Sequence, residues 1–229
     1  MPDARPRVAI FNAQSVDGRL DGFQPDLGLF YELAAAMPQQ AILSGSATLA
    51  AAAEAAGVDF AQDEAAPAAS AASESADRPW LVIVDSAGRI TRFDWLRTQP
   101  HWRDVLVIGS RATPGAHLDR LRRLGVRHHL LGADKVDLAA ALALLASAYG
   151  VSSVRVDAGP GLNGALLRAG LVDEVQILLA PLLAGDHGQA LRLAAGLEEG
   201  LELHSPRVAA LRGDHVLLTY GVGAPVSSR

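Results

Sequence analysis

Residues Val154 to Arg168 run Val-Arg-Val-Asp-Ala-Gly-Pro-Gly-Leu-Asn-Gly-Ala-Leu-Leu-Arg: a β-branched run, a glycine-rich turn, then a helical pattern. A strand that stops in glycines and restarts as a helix leaves the first helical N–H groups without intrahelical partners, at the positive end of the helix dipole. Such a junction suits an anion and points to a phosphate-bearing ligand. Gly159, Gly161 and Gly164 spell G-x-G-x-x-G in the strand, turn and helix context that this pattern requires. A Rossmann fingerprint belongs to an early βαβ unit, with an acidic residue about 20 positions further on. Here the motif lies late in the chain, holds Pro160 inside it, and meets Asp173 and Glu174 too soon. A tight turn needing glycine only for φ > 0 explains the spacing equally well.

The same order of strand, small polar residues and helix recurs. Arg7 to Ala13 reads as a buried strand. It runs into a loop, Gln14 to Gly22, dense in turn formers that display Ser15 and Asp17 or simply fold the turn. Pro25-Asp26 starts a helix with Leu27, Phe30, Tyr31 and Ala34 on one face, closed by Met37-Pro38. A second strand enters Gly45-Ser46 and an alanine-rich helix over 49–56, where Ser46 or Thr48 can cap the helix or donate to a phosphate. Pro79 to Val84 ends in Asp85-Ser86 with Arg89 beyond, and the strand from Asp104 exits through Gly109-Ser110-Arg111 into an arginine-rich helix, Pro114 to Leu124. Both arginines follow strand ends, where open α/β sheets bind ligands, although a solvated arginine is the blander reading of each.

Val126 to Leu131 is a strand whose His128 and His129 face opposite ways, a poor metal pair, and no metal site is expected. Asp137 begins a helix with Leu138, Ala141, Leu142, Leu145 and Tyr149 on one face, stopped by Gly150. Glu174 to Ala180 is a strand whose Pro181 exit suits an edge or a strand end. Pro206 interrupts the run Leu201 to Leu211, and Gly213-Asp214 turns into His215 to Tyr220 as an antiparallel hairpin. The expected fold class is therefore α/β, a mostly parallel mixed sheet with an antiparallel C-terminal hairpin, in a single domain over 1–229. Residues 61–78 are Ala/Ser/Glu-rich without a large apolar side chain and read as a mobile loop inside that domain.

Half of the 229 residues are hydrophobic, enough for a full core. A net charge of −5 argues against nucleic acid or an anionic membrane as the main partner, so a bound phosphate must be captured locally. The absence of cysteine excludes disulfides, thiolate catalysis, Cys-ligated zinc and a zinc-dependent nucleoside deaminase. No apolar stretch suits a signal peptide or a membrane span, and a soluble cytoplasmic protein is the default expectation.

Four blocks, in order and spacing, resemble the pyrimidine reductase family of riboflavin biosynthesis, the C-terminal domain of the bifunctional deaminase-reductases. Asn12-Ala-Gln-Ser-Val-Asp-Gly-Arg19 resembles that family's N-x-x-S-x-D-G-[KR] loop, and Leu43 to Thr48 its G-x-x-T turn. Asp85-Ser86 is similar to its strand-ending aspartate, and Asp157 to Glu174 followed by Ala180 to Gly185 to its E-G-G block and P-x-l-x-G ending. The resemblance implies a dihydrofolate-reductase-like three-layer α/β/α fold and an NADPH-dependent reductase of a pyrimidine or pterin-like heterocycle, commonly a homodimer. It implies that Gly45, Ser46 and Thr48 meet cofactor phosphates, with Ser86, Arg89, Ser110 and Arg111 near the 2′-phosphate side. Gly159, Pro160, Gly161, Leu162 and Asn163 would cradle the pyrophosphate, while Asn12, Ser15, Asp17 and Asp157 line the reacting ring.

The chain also departs from the family. An acidic-proline-arginine segment is replaced by the alanine stretch Leu49 to Ala56, and the usual Glu-Gly of the glycine block is Asp157-Ala158. The fold's non-proline cis peptide is expected at Ala158-Gly159. Two other readings stand beside the reductase: a non-catalytic NADP(H)-binding relative with a regulatory part, and a nucleotide-dependent transferase on a Rossmann sheet.

Overall fold

The computed structural model describes residues 5–60, 77–186 and 188–225. The loop expected over 61–78 lies outside the described residues except for Asp77 and Arg78. Among the described residues the order begins β1 (Arg7–Ser15), α1 (Leu27–Ala36), β2 (Ala41–Gly45), α2 (Ser46–Ala55), β3 (Trp80–Val84), α3 (Phe93–Thr98), β4 (Val105–Gly109) and α4 (Gly115–Arg123). It continues β5 (Arg127–Leu130), α5 (Leu138–Tyr149), β6 (Ser153–Val156), α6 (Pro160–Arg168), β7 (Glu174–Ala180), β8 (Leu201–Ala210) and β9 (Val216–Pro225). The chain forms two compact units, one of Gln39–Val154 with the N-terminal residues, the other of Arg7–Pro38 with Arg155–Arg229. β6 carries the chain from the first unit into the second.

In the first unit the strands run in the order β5, β4, β3, β2, all parallel. Trp80-Leu-Val-Ile-Val and Val105-Leu-Val-Ile are unbroken apolar runs because a parallel strand is covered on both faces. Ile42, Leu81, Ile83, Val105 and Val107 pack with Ile90, Phe93, Leu96, Leu121 and Leu124 into one core cluster. α5 starts where the Asp137 carboxylate accepts from Ala140 N at 3.0 Å, and stops at Gly150, whose φ of 65° is left-handed. Gly45 stands opposite Val84, and Val84 opposite Ile108, so β2, β3 and β4 end level along their carboxyl edge.

The second unit pairs β1 with β7 in parallel, then β9 and β8 antiparallel. Phe11 stacks on Phe30 with ring centroids 4.5 Å apart, in a cluster with Leu29, Ala34 and Leu178. The α1 face differs from the expected one: Leu29, Phe30 and Ala34 are buried, whereas Leu27 and Tyr31 are exposed. The Asp26 carboxylate accepts from Leu29 N at 2.9 Å and fixes where the helix begins, and the stack on Phe11 turns Phe30 inward. Pro206 does not break the hairpin. It falls where the register of β8 shifts between His204 and Arg207, on the last strand of the order, where a missing N–H costs the ladder nothing. Pro181 likewise follows the last residue of β7.

Candidate cofactor and active site

Among the described residues five of the six α-helix starts separate into two kinds, while α3 lacks a cap bond and carries Asp94 in its first turn. α1 and α5 are capped by aspartate carboxylates, which occupy the N–H groups that an anion would use. α2, α4 and α6 begin at Gly45, Pro114 and Gly159 with no side-chain cap bond and no acid in the first turn. They follow the strand ends singled out in the sequence, and their first-turn N–H groups meet no side-chain acceptor from the cap. Capping by Ser46, an expectation of the sequence, is corrected: Gly45 is the cap and Ser46 is the first helical residue.

Along the edge of the first unit, Ser86 Oγ accepts from Val136 N at 3.2 Å and keeps its own proton to donate. Arg89 and Arg111 are exposed. Ser110 is fully buried, its hydroxyl donating to Asp134 O at 3.1 Å while its N–H bonds Thr113 Oγ1, so its side chain is used inside the turn. Next to Ser86 the strand-ending Asp85 is buried beside His117, a histidine that the sequence did not flag. Asp85 Oδ2 accepts from Ile90 N at 3.0 Å, and His117 Nε2 stands 3.9 Å from that oxygen. Asp85 Oδ1 and both His117 ring nitrogens have no partner. Burial holds the His117 imidazole below its ordinary pKa, against the pull of Asp85 and with Arg120 and His128 adding to the effect.

In the second unit the glycine block starts α6 at Pro160, so Gly161, Leu162 and Asn163 are helical. None of Gly159, Gly161 and Gly164 needs a positive φ, which removes the simple turn reading of their spacing. Gly164 has another cause: a Cβ there would stand 2.0 Å from Ala195 O. The expected cis bond at Ala158-Gly159 is also corrected, since no cis peptide occurs among the described residues. Asn12 Nδ2 and Asn163 Nδ2 donate to Ala158 O at 3.0 and 3.1 Å, which secures the carbonyl of that trans peptide. The trans bond also avoids the ~2.5–4 kcal/mol of a non-proline cis peptide.

Asn163 also donates to Asn12 Oδ1 at 3.0 Å and Leu193 O at 2.9 Å. Thus Asn12, Ala158 and Asn163 meet at one junction, with Asp157 preceding it in the chain. Ser15 and Asp17 build the loop further along β1. Ser15 is fully buried and accepts from Arg19 N at 3.0 Å. Asp17, exposed, accepts from Ala184 N at 2.9 Å and Gly185 N at 3.2 Å, and the Ser15 hydroxyl, then Ala184, hold its carboxyl down at about 2. Asp21 ties the same segment through Leu191 N at 2.8 Å. Arg155 and Tyr31, neither of which was expected from the sequence to take part in a site, act electrostatically with Asp157. Burial pushes the Asp157 carboxyl above its ordinary range and Arg155 pulls it down.

These features define an α/β protein with open helix starts after its strands, a layout suited to phosphate-bearing ligands. The family model of the RibD C-terminal domain matches residues 6–217, and the chain belongs to that family. It is 32% identical to the riboflavin biosynthesis protein RibD of Escherichia coli over 161 residues, 69% of this chain and 42% of that protein. It is 33% identical to the 2,5-diamino-6-ribosylamino-4(3H)-pyrimidinone 5′-phosphate reductase of Methanothermobacter thermautotrophicus over 115 residues, 48% of this chain and 49% of that one. The chain spans less than half the length of the curated relatives it matches. The riboflavin biosynthesis reductase of Saccharomyces cerevisiae shares the fold, with a TM-score of 0.66 at 17% identity over 96% of this chain and 91% of that one. The expected α/β class, with its mostly parallel mixed sheet and antiparallel C-terminal hairpin, is therefore the one observed.

Proposed function

We propose that the chain is an NADPH-dependent reductase acting on a pyrimidine, in the manner named for its reductase relatives. The observation that carries the cofactor assignment is the pair of helix starts in the first unit, α2 after Gly45 and α4 after Pro114, left without side-chain caps. A dinucleotide phosphate fits them: anions are stabilised at such ends, and no acidic side chain of the first turn competes.

In the first unit, Gly45, Ser46 and Thr48 offer the N-terminus of α2, and Ser86, Arg89 and Arg111 offer a hydroxyl and two guanidinium groups suited to the 2′-phosphate that separates NADPH from NADH. Ser110 shapes the turn that presents Arg111. In the second unit, Gly159, Pro160, Gly161 and Leu162 open α6, while Asn163 and Asn12 hold the junction rigid through Ala158 O. Ser15 and Asp17 fold the adjoining loop. Bound NADPH would supply a hydride. Asp157, whose burial favours the neutral acid, is the group proposed to hold the accompanying proton on its carboxyl and to bond a ring N–H.

The test is steady-state oxidation of NADPH with a ribosylaminopyrimidine phosphate, the class named for the archaeal relative. Turnover is expected for the unmodified protein, and Asp157→Asn is expected to lower kcat by ~10²-fold or more, the scale of a lost general acid. Full activity in Asp157→Asn contradicts the assignment. Saturable NADPH binding without turnover favours the non-catalytic relative, a reading supported by the alanine stretch Leu49 to Ala56 in place of the family's acidic-proline-arginine segment.

A further inference from the structure

β6 carries a charged side chain for which the proposed chemistry has so far no use. Arg155 lies between Val154 and Val156 and is only 4% exposed. Its Nε and Nη1 are buried and have no hydrogen-bond partner. An arginine of this kind is costly, because it gives up hydration without filling its donors. A buried cation is retained where its charge acts on something close. The groups acting on Arg155 are Asp157, which the two-residue period of the strand brings to the same side, and Tyr31 of α1. Arg155 is the charged neighbour that acts on Asp157, and Asp157 in turn acts on Tyr31.

We propose that Arg155 is a positioning residue for Asp157, a buried counter-charge two residues before it on the same side of the chain that balances the charge of its carboxyl. Three groups are then tuned against one another, Arg155 buried, Asp157 half-buried and Tyr31 exposed. Burial drives Asp157 toward its neutral form and Arg155 opposes it. Burial likewise lowers the pKa of Arg155, and Asp157 and Tyr31 oppose that. The Tyr31 hydroxyl is pushed up by burial and by the carboxylate. Removing Arg155 leaves burial unopposed at Asp157, so its proton is released at higher pH. The electrostatic part of this proposal is independent of the reductase reading; its effect on turnover rests on that reading.

The test is a carbon-13 NMR titration of the aspartate side-chain carboxyls in the ligand-free protein, with the Asp157 signal assigned by its loss in Asp157→Asn. In Arg155→Met the Asp157 midpoint is expected to rise by about one pH unit or more, a roughly tenfold weaker acid, the scale of a lost adjacent charge. Arg155→Lys, which keeps the charge, is expected to return the midpoint most of the way. Removing one member of a buried pair destabilises a fold, so Arg155→Gln provides a second neutral variant should methionine not fold. An Asp157 midpoint unchanged in the neutral variants overturns the proposal. The alkaline limb in the pH profile of kcat/KM, where the Asp157 proton is lost, is expected to move with the NMR midpoint. A shifted midpoint in a protein without turnover supports the Arg155 assignment and counts against the reductase reading alone.

Discussion

His117 shows how burial, more than residue type, decides what a side chain does. It is 3% exposed, packs over Gly88, and sits beside a carboxylate that it does not reach within hydrogen-bond distance. Its folded pKa is lowered below the ordinary 6.5, so the folded state binds a proton less readily than the unfolded chain. The stability contributed by neutral His117 is complete above about pH 6.5 and is lost as pH falls through the folded value. Urea unfolding at pH 7.5 and 5.5 is expected to show a lower midpoint at 5.5, and His117→Leu is expected to flatten that difference. His129, also lowered by burial, accounts for what slope is left. An equal drop in the variant would refute the assignment to His117. Nothing in Gly115-Ala-His-Leu distinguishes this histidine from a solvated one, because its burial comes from Gly88 and Phe93, distant in sequence.

At the scale of elements, α6 separates two uses of glycine. Gly164 is closed in: an added Cβ would meet Ala195 O at 2.0 Å and Ala195 N at 3.0 Å, both backbone atoms that cannot swing away. Gly161 faces open space. Alanine raises helix propensity by about 0.8–1.0 kcal/mol at either position. At 164 the overlap outweighs it, since forcing extra atoms into packed structure costs about 1–3 kcal/mol. Chemical denaturation is therefore expected to find Gly164→Ala destabilised and Gly161→Ala as stable as the parent or more so. If the opening of α6 approaches the cofactor, Gly161→Ala is expected to bind NADPH several-fold more weakly despite its sounder fold. Unaltered NADPH affinity in that variant would remove Gly161 from the cofactor contacts. The G-x-G-x-x-G spacing thus combined a packing glycine with a surface one, a distinction that spacing alone does not carry.

Across the whole chain, what was legible in the sequence was whatever periodicity and local turn chemistry dictate. The runs at Trp80 to Val84 and Val105 to Ile108 read as strands and are buried strands, and Asp26, Asp137 and Gly150 marked helix ends by capping chemistry that acts within a few residues. The order of four blocks pointed to the family that the comparison then showed. What was not legible depends on partners remote in the chain. The inward face of α1 was set by Phe11, the Ala158-Gly159 bond by Asn12 and Asn163, and Arg155 among valines gave no sign of being buried. Asp17 and Asp21 likewise bond residues 184–191, more than 160 positions away.

Open helix starts and exposed arginines after the strands of the first unit are proposed to bind a nicotinamide dinucleotide bearing a 2′-phosphate. That binding is tested most directly by titrating NADPH and NADH against the intrinsic fluorescence of Trp80, Trp95 and Trp102 in the parent protein, Arg89→Ala and Arg111→Ala. The account predicts saturable quenching by NADPH, weaker binding of NADH, and a reduced preference in at least one arginine variant, with binding of NADH itself little changed. No binding of either nucleotide, or a preference unaltered by both substitutions, would contradict it.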